Sequence, residues 1–446
     1  GYHYGEHGYI YCKVKENVIA DETTGNIDLS YEINEGKKAY IGKISVVGNT
    51  KTKDRVIWRT LTIVPGEIYN RKEVFSSQRK LVMLGYFDDV KIESANLEQE
   101  EEIVDLVVTV KERKTGLISL GTGYSTEEGV RGYARYRQIN LFGKGQRLGA
   151  GIFLSEQGDL VQESREVNLD FFEPYLFNSK TGFGTDLYYR RDNLDNYNLK
   201  RRGGDMYLTR LSSNGEFKST LKYRLEQDQI FDIQNVIDTD IKALEGEKYD
   251  IGTLSYTLTR DTRDSLIYPH RGNMESISIE VANSFFGSEV NYYKFTGDIR
   301  TYLQLFNPDW ILGFRATAGI AQPYGNTDAI PIFERLYAGG GESVRGYKDR
   351  YLGPKDQDGY PVGGEAMVAF NVELRYPIYK QFAGVLFYDC GNVWAEPSDV
   401  NFGELESAVG VGLRYQTPIG PFRLDYGYRI PSVDNGRFHI SVGQTF

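Results

Sequence analysis

Hydrophobic and polar residues alternate with a period of two from residue 114 to the end of the chain. Near the C-terminus, Phe422 and Leu424 lie on one face of such a segment, and Arg423 and Asp425 lie on the other. This alternation predicts β-strands with one apolar and one polar face. Sixteen segments of this kind lie roughly at 115–125, 130–139, 146–155, 164–173, 182–191, 203–213, 216–227, 250–260, 274–283, 291–305, 310–320, 366–377, 383–394, 406–416, 421–430 and 437–446.

The same alternation is found in soluble β-sandwiches, but three further features favour a transmembrane barrel. The segments are about 10 to 11 residues long, which suits a tilted membrane-spanning strand. Tyr and Phe recur near strand ends, as in interfacial girdles, and links from odd to even segments are often long where the others are mostly short. We therefore predict an all-β transmembrane barrel of sixteen antiparallel strands over 114–446, with a long extracellular loop near 321–365.

The first 113 residues contain an internal repeat. Gly8-Tyr9-Ile10 recurs as Gly85-Tyr86-Phe87, and Ile27-Asp28-Leu29 recurs as Val104-Asp105-Leu106, both at an offset of 77 residues. A shared offset at two places indicates a repeated structural unit of about that length. The first copy is incomplete at its beginning.

We interpret residues 1–36 as the C-terminal part of one α+β unit and residues 37–113 as a complete one. The complete unit is expected to contain a strand, two helices and two strands in that order. Thr52 is expected to cap a short helix that runs through Trp58 and Leu61. The other elements are expected at 39–47, 71–84, 86–94 and 103–111.

Composition narrows the classes of function that remain. Aromatic residues make up 13% of the chain and Gly occurs 49 times, which is typical of a β-rich protein with many turns. The net charge is −10 and the basic residues are spread along the chain, so nucleic acid is not an expected partner. No window of about 18 uncharged apolar residues occurs, so no transmembrane helix is predicted.

Few residues suggest a metal site or an enzyme. His3 and His7 are spaced for one helix face near Cys12, but this set lacks a fourth ligand. Cys390 is better explained as a small apolar side chain than as a nucleophile. No phosphate-binding glycine loop occurs, and no motif supports a Ser, His and Asp constellation. We expect no metal, no cofactor and no enzymatic activity.

Several motifs support a resemblance to a known family. The long loop contains Val344-Arg345-Gly346-Tyr347 behind Gly339-Gly340-Gly341, and segment thirteen contains Phe387-Tyr388-Asp389-Cys390-Gly391. Two further motifs are NLFGKGQ at 140–146 and DTRD at 261–264. By the order and placement of these motifs, the whole chain resembles the outer-membrane β-barrel assembly insertase family. The resemblance implies that the repeated units are periplasmic POTRA domains.

The resemblance also implies a contact between the long loop and the barrel lumen. Asp389 must face the lumen, because a carboxylate facing lipid is costly. The family has a contact between the residues that match Arg345 and Asp389 here, and Glu373 on the neighbouring strand is a further expected partner. From the residues alone, Arg345 could equally be a solvated loop residue. The expected contact set is Val344, Arg345, Gly346, Tyr347, Glu373, Phe387, Asp389 and Gly391.

The first and last strands must pair to close the barrel, and glycines in the first strand should weaken that pairing. Unpaired backbone groups at such an edge are a template for another strand. Members of the family are thought to open laterally there and to bind a client strand by β-augmentation. A terminal aromatic residue ends many outer-membrane barrels, so it does not distinguish a client from an insertase. The expected seam residues are Leu117, Ser119, Gly121, Gly123, Phe438, Ile440, Val442 and Phe446.

The resemblance therefore predicts an insertase of the bacterial outer membrane that folds and inserts β-barrel clients. Its expected partners are outer-membrane lipid, unfolded β-barrel proteins, periplasmic chaperones and accessory lipoproteins. The POTRA edge strand at 86–94 is a candidate site for client strands. A polypeptide-secreting pore of the two-partner type is the main alternative, since it shares these motifs. A passive porin or an adhesive outer-membrane protein would leave the repeated units or the lumenal loop without a role.

Overall fold

The computed structural model contains one sheet of sixteen strands and two smaller sheets of two and three strands. It describes residues 2–20, 27–95, 100–126, 129–157, 162–195, 197–233, 245–417, 420–431 and 436–442. Two compact units can be distinguished. The first comprises Gly1–Leu117 and Arg137–Leu148, and the second comprises Ile118–Tyr136 and Gly149–Phe446.

The first unit contains the two smaller sheets. Its elements are α1 (Tyr2–Glu6), β1 (Lys13–Ala20), β2 (Ile27–Asn34), β3 (Tyr40–Val47), α2 (Asp54–Trp58), α3 (Arg71–Met83), β4 (Phe87–Ser94) and β5 (Ile103–Glu112). The strands β1 and β2 form an antiparallel hairpin. In the other sheet β5 is central, parallel to β3 and antiparallel to β4. The predicted order of strand, helix, helix, strand and strand is confirmed.

The longer helix and its sheet share one apolar core. The helix α3 begins at Arg71 because the Asn70 side chain accepts hydrogen bonds from the backbone N–H groups of Lys72 (2.9 Å) and Glu73 (3.3 Å). Its buried residues include Val74 and Leu81, which is fully buried. From the strands the core takes Ile41, Ile44, Val90, Val104, Leu106, Val108 and Val110. Alternating burial along β5 is what a strand packed on one face requires.

The prediction that Thr52 caps the first helix is wrong. The residue at the N-terminus of α2 is Lys53, whose side chain makes no capping bond, and the helix ends at Trp58 rather than Leu61. The Thr52 backbone N–H instead donates to Glu112 Oε1 at 2.5 Å. A carboxylate from β5 therefore fixes the backbone just before the helix, where a local side-chain cap was expected.

Glu112 holds the whole loop before α2. Its carboxylate accepts hydrogen bonds from the Thr50 hydroxyl (2.7 Å) and from the backbone N–H groups of Lys51 (2.9 Å) and Thr52. Burial alone would raise the pKa of Glu112, but these hydrogen bonds outweigh it and lower the pKa to about 2. The charged form of Glu112 is thus part of the folded domain.

The first unit also includes the turn that contains the NLFGKGQ motif. Asn140 Nδ2 donates to the Thr52 hydroxyl at 2.9 Å, and Asn140 Oδ1 accepts from the Gly145 backbone N–H at 2.8 Å. Gly143 has a φ of +69°, and a Cβ there would lie 1.9 Å from the carbonyl oxygen of Lys51. Glycine is required at this position because its backbone approaches Lys51 so closely.

The sixteen-stranded sheet confirms the predicted number of strands, and each strand pairs with its neighbours in sequence. Its strands are β6 (Gly116–Ser125), β7 (Gly129–Leu141), β8 (Gln146–Gln157), β9 (Gln162–Glu173), β10 (Thr181–Asn193), β11 (Asn198–Leu211), β12 (Phe217–Phe231), β13 (Lys248–Asp261), β14 (Gly272–Ala282), β15 (Tyr292–Gln304), β16 (Ile311–Pro323), β17 (Ala366–Tyr379), β18 (Phe382–Trp394), β19 (Glu406–Thr417), β20 (Gly420–Ile430) and β21 (Arg437–Val442). They form a nearly closed antiparallel barrel. Several are longer than expected, up to 15 residues in β12.

The two faces of the barrel wall differ in chemistry. On β17 the residues Asn371, Glu373 and Arg375 are buried on the lumenal face, while Phe370 on the opposite face is 38% exposed. Polar side chains line the lumen and apolar ones face outward, as a membrane barrel requires. No helix in the described part of the chain is long and apolar enough to cross a membrane.

The links between strands differ in length at the two ends of the barrel. At one end they include 232–247, 283–291, 324–365 and 395–405. At the other end most are shorter, such as 142–145, 380–381 and 418–419, although 262–271 has ten residues. At the end with the longer links, the links between the first strands are nevertheless short. The predicted difference in link length between the two ends is therefore found mainly among the later strands. The longest link lies between β16 and β17, as predicted.

Candidate functional site

The long loop between β16 and β17 brings its Val344–Tyr347 segment, here called the loop motif, into the barrel wall's polar interior. Val344 is fully buried and Arg345 is 1% exposed. Gly339, Gly340 and Gly346 have φ values of +107°, +91° and +90°, which favour glycine. These glycines let the loop turn sharply on both sides of Arg345.

Arg345 binds two carboxylates of the barrel wall. Its Nε and Nη2 atoms donate to the two oxygens of Asp389 at 2.7 and 2.8 Å, and its backbone N–H donates to Asp389 at 3.1 Å. Nη1 donates to Glu373, and the guanidinium carbon lies 3.5 Å from the centre of the Phe387 ring. This is the bidentate arrangement that arginine makes with a carboxylate, stacked on an aromatic face. The structure thus brings together four of the residues predicted at this contact.

Further buried charges extend this contact around the wall. Glu373 also binds Arg375 (2.9 Å) and Arg414 (3.3 Å), and Asp425 binds Arg414 (2.6 Å) and Arg423 (3.0 Å). All are at most 3% exposed. The alternation of the strands places these residues in the lumen, but it gives no signal of which ones meet.

The buried guanidinium of Arg345 stays charged. Burial would lower its pKa, but Asp389 and Glu373 outweigh burial and raise the pKa above its usual value. Removal of either partner would leave the other charge buried without compensation, so the ion pair favours this one position of the loop.

The other residues of the loop motif bind the last three strands. The Gly346 backbone N–H donates to His439 Nε2 at 3.0 Å, and the Gly346 carbonyl accepts from Arg429 Nε at 2.8 Å. The Tyr347 hydroxyl donates to Glu406 at 2.6 Å, and the Arg429 guanidinium lies 4.5 Å from the Tyr347 ring centre. None of His439, Arg429 and Glu406 was predicted as a site residue.

Two glycines of the wall leave room for the loop motif. A Cβ at Gly427 would lie 2.7 Å from the Gly346 backbone nitrogen, and a Cβ at Gly391 would lie 3.0 Å from a methyl group of Val344. Gly391 was among the predicted contact residues, and Gly427 was not. The loop motif and its partners thereby involve all five strands from β17 to β21.

The first and last strands meet at the seam near Thr126 and Ile440. The Thr126 backbone N–H donates to the Ile440 carbonyl at 3.3 Å, and the Ile440 N–H donates to the Thr126 hydroxyl at 3.4 Å. Within the described parts of β6 and β21, no other backbone hydrogen bond joins Gly116–Ser125 to the last strand. By comparison, β11 and β12 pair along fourteen residue positions.

The predicted seam residues lie along these two strands. Leu117 and Phe438 are 43% and 56% exposed, and Ser119 is exposed. Gly121 is covered by the Tyr133 ring, and a Cβ at this position would lie 2.3 Å from the ring. Gly121 was predicted only to weaken the strand, but in the structure it also makes room for Tyr133. Ile440 makes the contact with Thr126, the side chain of Val442 is not described, and Phe446 lies outside the described residues.

Comparisons with known proteins agree with this architecture. The family model described as "Omp85 superfamily domain" matches residues 140–446, and the POTRA model, "Surface antigen variable number repeat", matches residues 39–113. The outer membrane protein assembly factor BamA of Nitratidesulfovibrio vulgaris is 32% identical over 458 residues, which cover 100% of this chain and 56% of that protein. BamA of Neisseria meningitidis serogroup B is 28% identical over 501 residues, covering 99% and 61%.

A solved structure shares the fold. The crystal structure of BamA from Haemophilus ducreyi lacking POTRA domains 1–3 aligns with a TM-score of 0.83 at 21% identity, covering 99% of this chain and 91% of that one. The chain spans little more than half the length of the two BamA relatives that it matches.

Proposed function

The chain belongs to the Omp85 superfamily, and on this premise we propose that it is an insertase that catalyses the folding and insertion of β-barrel proteins. It lies in the outer membrane with its POTRA domain in the periplasm, as its outer-membrane relatives do. No covalent chemistry is required for this role. The client's own burial of apolar strands in lipid drives the process, and the insertase lowers its barrier.

The observation that carries the proposal is the contrast between the two sides of the seam. On one side the loop motif binds β17 to β21 through buried ion pairs and hydrogen bonds. On the other side β6 is joined to β21 near Thr126 alone within the described residues. Each backbone hydrogen bond contributes about 0.5–1.5 kcal/mol, so the seam is the junction that separates at lowest cost.

An open seam would offer two strand edges to a client. The exposed N–H and C=O groups of β6 or β21 can pair with a client strand by β-augmentation, which requires no particular client sequence. The client's β-hairpins are then added one at a time. At each step the outer edge of the growing client sheet stays paired with a strand of the seam. The rigid β17 to β21 wall keeps its shape during this exchange because the loop motif holds its strands together.

The POTRA domain supplies a second strand edge. In its three-stranded sheet β4 lies at one edge, and its outer backbone groups have no strand partner among the described residues. An extended client segment could pair there before it reaches the seam. We propose that periplasmic chaperones deliver such clients and that accessory lipoproteins assist their assembly. The folded clients are inserted into the lipid of the outer membrane.

A passive porin would need an open lumen, whereas the loop motif fills part of the lumen with buried side chains. A polypeptide-secreting pore differs from an insertase in that an unfolded chain passes through the lumen and is not inserted into the membrane. The test is the folding of a urea-denatured barrel client in liposomes that carry the protein, followed by heat-modifiable gel mobility. Empty liposomes and liposomes with the heat-inactivated protein are the controls.

A disulfide across the seam, which would prevent the first and last strands from separating, tests lateral opening directly. Thr126→Cys and Ile440→Cys together, with Cys12 and Cys390 replaced by Ser, place thiols on two residues whose backbones are joined by a hydrogen bond across the seam, which makes them candidates for a disulfide. The oxidised protein should fold clients at the empty-liposome rate, and reduction should restore activity. Full activity of the locked barrel would disprove lateral opening, and passage of an unfolded chain without insertion would favour the secretion pore.

A further inference from the structure

A second buried charge cluster lies in the barrel wall apart from the loop motif. Glu226 and Asp228 lie on the lumenal face of β12, and Glu334 lies in the long loop upstream of the loop motif. Carboxylate oxygens of the three residues lie within 4.8 Å of one another. Their exposed fractions are 3%, 0% and 4%. Three acidic groups so close together and so deeply buried require compensation.

Asp228 has no such compensation by hydrogen bonding. Both of its carboxylate oxygens are buried and make no hydrogen bond to any described residue. Arg201 is opposite Asp228 in the register of β11 and β12, but its nearest acidic partner is Asp192, 3.8 Å from its Nε. A fully buried carboxylate that lacks donors costs several kcal/mol, so a ligand that supplies positive charge fits this position.

The other two carboxylates are bound but not saturated. Glu226 accepts from Arg224 (2.5 Å) and from the Tyr188 hydroxyl (2.6 Å). Glu334 accepts from Arg224 (3.1 Å), from the Tyr292 hydroxyl (2.9 Å) and from Lys294 (3.0 Å). A carboxylate has about four lone-pair positions, so each glutamate keeps at least one for a further ligand, and Asp228 keeps all of them.

The net charge of the cluster favours a bound cation. Glu226, Asp228, Glu334 and the adjoining Glu280 offer four carboxylates, and Arg224, Lys294 and Arg201, which is opposite Asp228, supply three positive charges. Burial would raise the pKa of Glu334, but Lys294 and Arg224 outweigh burial and hold the pKa below its usual range. Four carboxylates against three basic groups leave the cluster with a net negative charge, and Asp228 has no hydrogen-bond donor among the described residues, so a bound cation would be stabilised here.

The loop is shaped to bring Glu334 to the wall. Glu334 ends a short 3₁₀ turn, Ile332–Glu334, whose side chains are all buried. Ile332 and Phe333 pack in an apolar cluster with Ile230 of β12 and Tyr292 of β15. The carboxylate therefore reaches Asp228 from a segment that is fixed by its own packing, which preorganises a binding site.

We propose that Glu226, Asp228 and Glu334 bind a calcium ion that fastens the upstream part of the long loop to β12. Calcium takes six to eight oxygen ligands, accepts irregular geometry and binds carboxylates, whereas magnesium demands a regular octahedron and retains water. The ion is a second attachment of the loop, separate from the Arg345 contact, and it does not depend on the insertase role. We expect an affinity in the range of extracellular calcium modules, about 0.1–1 mM.

The test uses the whole protein, extracted with a chelator and held in lipid-free detergent micelles. Terbium(III) replaces calcium as a luminescent probe, because Tyr188 and Tyr292 donate hydrogen bonds to two of the proposed ligands and are placed to sensitise its emission. Calcium should quench this emission by displacement, and should raise the temperature of heat-modifiable unfolding. Magnesium should compete at least about 10-fold more weakly.

Asp228→Asn keeps the shape of the side chain and removes its charge, so it should weaken terbium and calcium binding by about 10-fold or more. Glu275→Gln is the matched control, since it removes one charge from a partly exposed lumenal carboxylate on β14 and should leave binding unchanged. Native gel mobility checks that each variant is folded, and Glu226→Gln replaces Asp228→Asn if that variant fails.

Three outcomes would overturn the assignment. Absence of tyrosine-sensitised emission from the folded wild-type protein at millimolar terbium would mean that Arg201 or a proton compensates Asp228. Equal binding by wild type and Asp228→Asn would place the ion elsewhere. Equal competition by magnesium would exclude a calcium-type site.

Discussion

Replacement of Arg345 by Ala tests the buried contact on which the proposed mechanism rests. The change removes two side-chain hydrogen bonds to Asp389 and one to Glu373. The backbone N–H of residue 345 can still donate to Asp389. The fully buried Asp389 carboxylate, however, loses the cation that compensates its charge.

The expected magnitude follows from the local compensation. Breaking a buried ion pair by removal of one partner costs about 3–5 kcal/mol. The lower end applies here, because Glu373 keeps Arg375 and Arg414. We expect Arg345→Ala to lower the free energy of unfolding by about 3 kcal/mol and to slow client folding about 5-fold or more.

A double-mutant cycle isolates the contact. Asp389→Asn alone should cost less, about 1–2 kcal/mol, because Arg345 keeps Glu373. The double variant removes both charges, so the coupling energy between the two sites should be at least about 1.5 kcal/mol. The assay is urea unfolding in micelles, read by gel mobility, beside client folding in liposomes.

Arg260→Ala is the matched control for this cycle. Arg260 is 42% exposed and lies 3.4 Å from Glu275, so its loss should cost less than about 1 kcal/mol. If Arg345→Ala unfolds at the wild-type urea concentration, or if its cost simply adds to that of Asp389→Asn, the contact is not what holds the loop. If stability falls but client folding keeps its rate, the loop is structural and the proposed coupling to the seam is wrong.

Three further variants test other parts of the structure. Gly427→Ala should displace Gly346 and destabilise the barrel by about 1–3 kcal/mol in the same urea assay, whereas Gly297→Ala, with nothing within 4 Å of the new Cβ, should have little effect. His439→Leu should cost about 1–3 kcal/mol by leaving the Gly346 N–H without its acceptor, and His439→Gln should recover part of this loss. Glu112→Gln should destabilise the POTRA domain by about 2 kcal/mol at neutral pH; the wild-type domain should keep this contribution above pH 4.5, the usual pKa, and lose it as the pH falls towards about 2, as followed by helix circular dichroism.

The period of hydrophobic residues predicted the sixteen strands and the two faces of each, because a strand with one apolar face repeats every two residues. Strand length, aromatic positions and loop lengths were also needed to favour a barrel over a soluble sandwich. The same pattern placed Asp389 and Glu373 in the lumen. Their contact with Arg345 came from the family resemblance, because a loop of this length has no periodic signal that fixes where it docks.

Contacts between residues on different strands of the barrel could not be predicted from the sequence. Arg414, Asp425 and His439 alternate like any lumenal residue, and their contacts depend on barrel curvature and register rather than on spacing. Thr52 illustrates the opposite error. A Thr before a helix favours a local cap, but here Glu112, distant in sequence, binds the backbone N–H groups of Lys51 and Thr52 and fixes the chain before the helix.

The side chains of the first barrel strand, β6, constrain its pairing register less than those of the other strands do. In most strands of this barrel a shift by one residue would turn charged side chains towards lipid, which fixes the pairing. On β6 the neighbours Leu117 and Ile118 point to opposite faces, yet they are 43% and 77% exposed, and Leu120 is 75% exposed. The strand carries no charged residue, so a one-residue slip would turn only uncharged side chains towards lipid. Such a strand tolerates partners of different sequence and length in more than one register, a property that a strand built only to close its own barrel would not need.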